Sequence, residues 1–470
     1  MNTLHMSQIP KKCYRTWFNL NRKTVISVKT PSGSTKSEEA HEIIAQGSGG
    51  AALASQADIG GGVKDYFGRS LDEARYGRVR IQPQSYQDDV LRVAPSVSSA
   101  RAGNVRFSRM FRERLLKCHP TKTCYVLFGT EKWKSKVREE LKQSPLMFGS
   151  FEMKEKQHDI YLGDALSEKG LAASVEETIS RRLSKVKGLI YEVAAIIKDH
   201  RMQALGGMQV AWDIWERSLV PALLANCGSW VRIPKSALKT LNNTQNLYCK
   251  LIYSCPDSTP LPALQGEAGL LDFQHRIMVE KICLVTKIMN EEDEEDSYAK
   301  EILKEQMEMG WEGLTKEVME MCEEVGLPNA CTVYLKREEV SEAVMYNHLK
   351  ILKEEYGMEK LKHLQNTDIR YMQKYMAQVS LENSRLEFRY RVRMLDTRAD
   401  MGKRYSFRYC PHCPAGRLEG VIENSQHWLE CVAYKEFRKG ADPENVLADR
   451  TKYLRRVHIL REHLEKAIRN

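Results

Sequence analysis

The chain has 470 residues, of which 42% are hydrophobic and 29% are charged, and its formal net charge is +10. This length and composition allow two to four domains with buried cores. The positive charge favours a polyanionic partner such as nucleic acid over small acidic substrates. No stretch approaches the roughly eighteen apolar residues of a membrane-spanning helix, and the N-terminus lacks a signal-peptide core. We therefore predict an intracellular protein of the nucleus or cytoplasm, with no membrane partner and with reduced cysteines.

The first predicted element with chemical meaning is a glycine-rich turn at residues 45–55 that runs into a helix of small residues. Glycines allow a ligand to approach the backbone closely. The first turn of a helix also offers free N–H groups to phosphate or sugar oxygens. The alternative is a turn that only connects two elements, which is a common role of such sequence.

Next, the segment Tyr86-Gln87-Asp88-Asp89 places two adjacent carboxylates at the predicted tip of a β-hairpin. Val79 and Ile81 alternate with polar residues before it, as in a half-buried strand, and an apolar run resumes at Val90. Mg²⁺ prefers a few carboxylate oxygens together with substrate phosphates. Two such ions can activate an attacking hydroxyl and stabilise a leaving pyrophosphate. The alternative is an acidic surface turn.

In this order and spacing, these two segments resemble the palm of reverse transcriptases from LINE-type (non-LTR) retrotransposons. Three more segments are similar to the same family: His-Pro-Thr-Lys-Thr at 119–123 to its lysine-bearing motif, Ile-Tyr-Leu-Gly at 160–163 to a segment near its primer grip, and 221–230 to the sequence that follows. The resemblance covers residues 14 to 290 and then 405 to 470.

The resemblance implies an RNA-directed DNA polymerase, a nucleotidyltransferase that extends a DNA primer on an RNA template. It implies that Asp88 and Asp89 bind Mg²⁺ and that Lys122 protonates the leaving pyrophosphate. The implied nucleotide- and template-binding residues are Gln46, Gly47, Ser48 and Tyr86. The family palm needs a further carboxylate before the glycine-rich turn, but the sequence holds no aspartate before Asp58. We therefore expect a partial palm, an incomplete Mg²⁺ site and little or no synthesis by this polypeptide.

Beyond residue 130, apolar residues recur every three or four positions, which predicts amphipathic helices. The first runs from Val175 to the glycine pair at 206–207, the second ends at Pro221, and the third covers Leu238 to Leu251. The resemblance implies that these helices form a thumb that contacts the primer–template backbone. The alternative is a helical bundle with a solvated charged face. An acidic run at 291–296 marks a boundary, and further helical patterns follow it.

Near the C-terminus, Cys410, Cys413, His427 and Cys431 form the pattern C-x₂-C-x₁₃-H-x₃-C. Four such ligands suit tetrahedral Zn²⁺ and leave no position open, which predicts a structural site. We expect His412 to point outward, and we expect this segment to depend on zinc for its order because it buries few apolar residues. The pattern resembles the C-terminal knuckle of LINE-type elements. The alternative is four unrelated residues.

Just before the knuckle, arginines alternate with aromatic residues between Arg385 and Tyr409. Arginines can neutralise phosphates while aromatic rings stack on the bases of single-stranded nucleic acid. The predicted nucleic-acid-binding residues are Arg389, Arg391, Arg393, Arg404 and Arg408, with stacking by Phe388, Tyr390, Tyr405 or Phe407. The alternative is that the apolar and aromatic residues of this segment form the inward face of a strand or helix.

Together these patterns predict an α+β protein: a partial palm at 1–130, a helical thumb-like region at 131–290, a helical linker at 291–400 and a zinc-knuckle segment at 401–470. The predicted function is that of a reverse transcriptase-like protein, partial and inactive by itself. One alternative is a non-catalytic nucleic-acid-binding protein that uses the arginine-aromatic segment and the zinc knuckle. Another is a decayed reading frame without a selected role.

Overall fold

A computed structural model of the chain describes residues 24–26, 29–30, 33–34, 38–40, 74–81, 83–86, 89–113, 116–198, 207–290, 298–356, 370–395, 397, 408–413, 418–438 and 447–469. These residues form helices and small two-stranded sheets, which agrees with the predicted α+β class. The predicted ligand-binding residues Gln46, Gly47, Ser48, Asp88 and Arg404 lie outside the described residues. No helix among the described residues is long and apolar enough to cross a membrane.

The described strands are short and pair two by two. They are β1 (Thr24–Ile26), β2 (Lys29–Thr30), β3 (Gly33–Ser34), β4 (Glu38–Ala40), β5 (Arg75–Tyr76), β6 (Val79–Arg80), β7 (Gln84–Tyr86), β8 (Asp89–Leu91), β9 (Cys124–Tyr125), β10 (Met147–Phe148), β11 (Phe151–Glu152), β12 (Lys154–Glu155), β13 (His158–Tyr161) and β14 (Asp164–Ser167). The pair β9–β12 is parallel, and the other described pairs, β1–β4, β2–β3, β5–β6, β7–β8, β10–β11 and β13–β14, are antiparallel.

Helices make up most of the remaining described structure. They are α1 (Val97–Glu113), α2 (Glu131–Gln143), α3 (Leu171–Lys198), α4 (Gly207–Ile214), α5 (Val220–Leu224), α6 (Lys235–Tyr253), α7 (Leu261–Ala268), α8 (Phe273–Asn290), α9 (Tyr298–Met309), α10 (Leu314–Glu324), α11 (Arg337–Tyr356), α12 (Tyr375–Gln378), α13 (Leu381–Arg391), α14 (Ser425–Glu430) and α15 (Leu447–Arg469). A π-helical segment, Trp215–Leu219, joins α4 to α5, and 3₁₀ turns cover Cys227–Ser229 and Val432–Arg438.

The chain divides into two compact units, Met1–Ser174 with Tyr298–Met309, and Val175–Ser297 with Gly310–Asn470. In the first unit, small hydrophobic clusters hold the elements. Phe107 of α1 packs with Val90 of β8 and Phe148 of β10, and a second cluster includes Val137 of α2. The β7–β8 hairpin is thereby attached to α1. The four segments predicted from the sequence stay predictions.

The hairpin predicted around Tyr86 is present, but its upstream arm differs from the expectation. Val79–Arg80 pairs with Arg75–Tyr76 across a turn in which Gly77 has a φ of 58°. The chain therefore returns on itself before residue 81. The two arms that pair Tyr86 with Asp89 are instead β7 and β8.

The second unit contains the largest hydrophobic core, and the apolar positions predicted for the first long helix face it. On α3 these buried positions are Ile179, Leu183, Val186, Ile190 and Ile197. At the centre of this core Trp215 stacks on Tyr248 of α6, with ring centroids 4.7 Å apart. The third predicted helix is confirmed as α6, which ends before Ser254, whose φ is 51°.

The predicted end of the second helix at Pro221 is wrong, because the helix continues through α5 to Leu224. The π-helical segment directly precedes this proline, and the Val220 N–H donates to the Trp215 carbonyl, five residues back. A π-type turn shifts the hydrogen-bond ladder. Pro221 then falls in the first turn of α5, where a residue without an N–H is tolerated.

Candidate metal centre

A short bridge between two chain segments positions the first two predicted ligands. Tyr409 and Ile422 form an antiparallel bridge, and the Cys410 N–H donates to the Val421 carbonyl at 2.9 Å. The chain bends sharply after Cys410, so that Cys413 lies on the same turn. The sequence pattern of two cysteines three positions apart therefore becomes a tight turn with two thiols.

The other two ligands lie at the start and just beyond the end of α14. The Asn424 side chain caps this helix and accepts a hydrogen bond from the His427 N–H at 2.7 Å. Cys431 follows the last residue of the helix, and its N–H donates to the His427 carbonyl at 2.7 Å. One helical turn thus brings the imidazole and the third thiol to the same side.

The four side chains meet in a geometry that can hold a metal ion. The Cys410 Sγ and Cys431 Sγ atoms are 3.9 Å apart, and the Cys413 Sγ lies 3.6 Å from the His427 Nε2. Zinc–sulfur bonds of about 2.3 Å and zinc–nitrogen bonds of about 2.0–2.1 Å in a tetrahedron place these pairs about 3.8 Å and about 3.6 Å apart. All four ligand atoms lie within 4.8 Å of one another. We call these four residues the thiolate cluster; His412 does not belong to it.

The thiolate cluster lies inside a hydrophobic core, contrary to the expectation that this segment buries few apolar residues. Each cysteine of the cluster is 1% exposed, and Trp428 and Tyr434 are fully buried. Leu386 of α13 and Leu454 of α15 belong to the same core. The Tyr453 hydroxyl donates to the Trp428 carbonyl. The cluster is therefore part of a C-terminal core that also includes side chains of α13 and α15, two helices outside the 410–431 segment.

Hydrogen bonds and a buried ion pair stabilise the thiolate cluster and the helix beside it. A hydrogen bond with the Cys431 side chain lowers the pKa of the Cys410 thiol. Arg461 of α15 pairs with Glu423 at 3.2 Å, and both side chains are buried. The same guanidinium lies over the Trp428 ring, 5.1 Å from its centroid. These contacts hold the helix that carries His427.

The predicted Mg²⁺ site has less support. Asp89 is exposed at the start of β8, and Asp88 lies outside the described residues. Among the described residues, Asp89 belongs to no group of His, Cys, Asp or Glu side chains that could hold a metal ion. Its charge does reach the β13–β14 hairpin, because burial and then Asp89 raise the pKa of Tyr161.

The other predicted catalytic residue and the Tyr-Leu-Gly segment lie in exposed turns. Lys122 is exposed, and its N–H donates to the His119 carbonyl at 3.1 Å. The β13–β14 turn contains Leu162 and Gly163 with φ values of 49° and 86°. A positive φ is strained for leucine. This turn presents the Leu162 side chain to solvent with 41% of its surface exposed.

The first part of the arginine-aromatic segment, residues 385–391, lies on α13, and its apolar side chains face inward, as in the alternative interpretation. Tyr405 and Phe407 lie outside the described residues. Phe388 is fully buried and stacks on Tyr253, with ring centroids 3.7 Å apart. The predicted stacking of Phe388 on nucleic-acid bases is therefore wrong. Leu386 and Val392 are buried as well.

The predicted nucleic-acid-binding arginines do not share one environment. Arg391 donates to the buried Glu267 at 2.9 Å, so its guanidinium is engaged within the fold. Arg389 is half-buried, whereas Arg393 and Arg408 are exposed. The two exposed arginines are accessible to solvent, and their role in nucleic-acid binding stays a prediction.

Sequence analysis missed a second group that could hold a metal ion, Asp272, His275 and His348. The first two are three residues apart at the start of α8, a spacing that also occurs in ordinary helix caps. His348 lies on α11, and its isolated position in the sequence gives no signal.

Fold and site together define an α+β protein with a Cys₃His cluster that can hold a metal ion. No protein-family model matches the chain, and no curated protein matches it. The resemblance to LINE-type reverse transcriptases therefore rests on the sequence segments quoted above and stays a prediction.

Proposed function

We propose that this chain is a nucleic-acid-binding protein related to LINE-type reverse transcriptases, with a C-terminal knuckle ordered by zinc. The observation that carries the proposal is the thiolate cluster, whose sulfur and nitrogen atoms have the separations of a tetrahedral site. Zinc knuckles are among the modules that bind single-stranded nucleic acid. The net charge of +10 favours the same kind of partner.

Zinc is the ion that this ligand set suits best. Three thiolates and one imidazole are soft or borderline ligands, whereas Mg²⁺ requires oxygen ligands. Four protein ligands in a tetrahedron leave no position for substrate, so the ion has a structural role. We therefore assign no catalytic role to this ion.

Exposed cations on the elements of the knuckle supply the contacts to phosphate. Arg408 directly precedes the first metal-binding turn, Lys435 lies in the 3₁₀ turn after Cys431, and Arg456 lies on α15. Each side chain is exposed on an element of the C-terminal core. Phosphate neutralisation does not depend on base sequence, so binding should be salt-dependent and only weakly sequence-selective.

Fluorescence anisotropy with labelled single-stranded RNA and DNA tests this proposal. We expect the variant Arg408→Ala/Lys435→Ala/Arg456→Ala to bind more weakly than the wild type. The slope of log affinity against log salt should flatten by about 0.7 for each lost phosphate contact.

A charge-matched control removes three exposed lysines from the first unit, Lys132→Ala/Lys136→Ala/Lys169→Ala. It lowers the net charge by the same amount, so any general electrostatic effect is common to both variants. Equal losses of affinity and slope in the two variants would contradict binding at the knuckle.

The hairpin that pairs Tyr86 with Asp89 favours a second candidate function, RNA-templated DNA synthesis. We expect this polypeptide alone not to synthesise DNA, because a two-metal site needs carboxylates that bridge both ions. Primer extension with Mg²⁺ or Mn²⁺ checks this expectation. Extension that disappears in Asp89→Ala would overturn it and establish the enzyme.

A further inference from the structure

A buried polar group lies between α8 and α11, remote in sequence from the thiolate cluster. It consists of Asp272, His275 and His348, which we call the imidazole cluster. The two histidines are among the most buried polar residues of the described chain, with 3% and 2% of their surfaces exposed. Asp272 is half-buried. Their ligand atoms all lie within 4.8 Å of one another.

Asp272 and His275 form the start of α8. The Asp272 Oδ1 accepts a hydrogen bond from the His275 N–H at 2.9 Å, which makes Asp272 the N-cap. The same oxygen lies 2.8 Å from the His275 Nδ1, so this ring nitrogen carries the hydrogen. The His275 Nε2 is then an acceptor, and it is buried without a hydrogen-bond partner. Helix capping explains the two contacts between Asp272 and His275.

His348 presents the stronger anomaly. Its Nε2 lies 3.1 Å from the Leu270 carbonyl oxygen, which only accepts, so Nε2 carries the hydrogen. The Nδ1 atom therefore has a lone pair, and it faces the Asp272 Oδ2 at 3.9 Å with no hydrogen-bond partner. A buried lone pair opposite a carboxylate oxygen is unfavourable unless a cation lies between them.

The cationic side chain next in sequence to His275 is engaged elsewhere. The neighbouring Arg276 carries a positive charge, but Glu216 binds it through two hydrogen bonds of 2.7 and 2.6 Å. The site thus offers imidazole and carboxylate ligands, and the charge of Arg276 is balanced by Glu216.

We propose that Asp272, His275 and His348 bind a divalent transition-metal ion, with Zn²⁺ as the best-matched species, as a second metal site of this chain. Imidazole and carboxylate are standard ligands for Zn²⁺, Co²⁺ and Ni²⁺. On binding, the ion takes the place of the hydrogen at the His275 Nδ1, and the ring carries its hydrogen on Nε2 instead.

The nitrogen–oxygen separations in the imidazole cluster can be compared with those around a zinc ion. Tetrahedral zinc with bonds of about 2.0–2.2 Å places a nitrogen and an oxygen ligand about 3.4 Å apart. The His275 Nδ1 faces the Asp272 Oδ1 at 2.8 Å, and the His348 Nδ1 faces the Asp272 Oδ2 at 3.9 Å, so the two separations lie on either side of that value. Each ring therefore faces one oxygen of the same carboxylate.

Three protein ligands leave a fourth position for water, as in open zinc sites. A pocket of about 280 Å³ borders the same segments: Leu270, Leu271 and Arg276 in its wall flank the ligands of α8, and Met345 precedes His348 by about one helical turn.

Cobalt titration of the metal-free chain separates the two sites. Co²⁺ bound by thiolates gives an intense near-ultraviolet charge-transfer band, whereas Co²⁺ bound by imidazole and carboxylate gives only weaker visible bands. We expect the charge-transfer band to saturate at one ion per chain and the visible bands to grow until two ions are bound. If the charge-transfer band and the visible bands both stop growing at one ion per chain, the second site is absent. That result would leave the assignment of the thiolate cluster unchanged.

The zinc content of purified variants then tests whether the imidazole cluster binds the second ion. His348→Gln keeps a side-chain N–H for the Leu270 carbonyl and removes the facing lone pair, so it should reduce zinc from two ions to one. The control His158→Gln, at an exposed position on β13, should keep two. Cys413→Ser should also leave one ion, but without the charge-transfer band. Two ions in His348→Gln would contradict the assignment.

Discussion

The thiolate cluster and the imidazole cluster differ in how far apart their ligands lie along the chain. The four ligands of the first fall between Cys410 and Cys431, in pairs three and four positions apart. The second joins the start of α8 to a histidine on α11. The thiolate cluster can be predicted from sequence, because its ligands lie on one tight turn and one helical turn. His348 reaches Asp272 only through tertiary packing, so sequence spacing does not predict the imidazole cluster.

The two clusters also differ in what surrounds them. The thiolate cluster is central to a small C-terminal core that also contains Trp428 and Tyr434. The imidazole cluster lies at the start of α8, a helix that contributes Phe273 and Ile277 to the largest core of the chain. Removal of metal should therefore disrupt the structure around the first cluster much more than around the second.

The largest expected effect is loss of order around the thiolate cluster. In Cys431→Ser, or after zinc removal, backbone amides of α15 should lose most of their protection from hydrogen exchange. Structural zinc contributes an apparent binding free energy of about 10 kcal/mol or more in small zinc domains. Amides of α3 should keep their protection, because that helix belongs to another core.

Cys322→Ser is the matched control, since Cys322 is equally buried and lies outside both clusters. Its zinc content should equal that of the wild type. Unchanged protection of α15 after complete zinc removal would show that the C-terminal core is stable without the ion.

The second prediction concerns Arg391, for which the local sequence pattern and the tertiary contact imply different roles. The local pattern predicts a phosphate contact, whereas the fold pairs this guanidinium with Glu267, which is fully buried. Arg391→Met should lower the free energy of unfolding by about 3–5 kcal/mol, because it leaves a buried charge unpaired. Urea denaturation measures this loss.

The exposed Arg393 supplies the comparison for that test. Arg393→Met should leave stability within about 0.5 kcal/mol of the wild type and weaken nucleic-acid binding instead. The assignment of Arg391 to the fold fails if Arg391→Met weakens binding and leaves stability unchanged.

The next effect concerns the aromatic residues of the same segment. Phe388→Leu should cost about 1–2 kcal/mol, because it removes the stacking contact with Tyr253 and changes the shape of the core. Tyr409→Leu, at a side chain that is 51% exposed, should cost little stability. The opposite order of the two costs in thermal denaturation would mean that α13 is not packed as described.

The smallest expected effect separates helix capping from metal binding at Asp272. In the presence of a chelator, Asp272→Asn should change stability by less than about 0.5 kcal/mol, since asparagine is an equally good N-cap. Asp272→Ala should cost about 1 kcal/mol under the same conditions. Added zinc should raise the melting temperature of the wild type above that of Asp272→Asn. An equal zinc response in both proteins would restrict Asp272 to capping.

Particular residues show what sequence could and could not predict. The period of α3 and the spacing of the cysteines depend on local geometry alone, so both predictions hold. Pro221 ends no helix, because the π-helical turn before it depends on packing around Trp215. The inward orientation of Phe388 needs Tyr253 opposite it, and His348 needs α8 as a neighbour. Each of these partners is distant in sequence.

The central claim, that the thiolate cluster holds a structural zinc ion, is tested most directly by zinc X-ray absorption on protein that carries one ion per chain. We predict three sulfur ligands at about 2.3 Å and one nitrogen ligand at about 2.0–2.1 Å. Cys413→Ser should abolish zinc binding at this site. A spectrum with only nitrogen and oxygen ligands would contradict the claim.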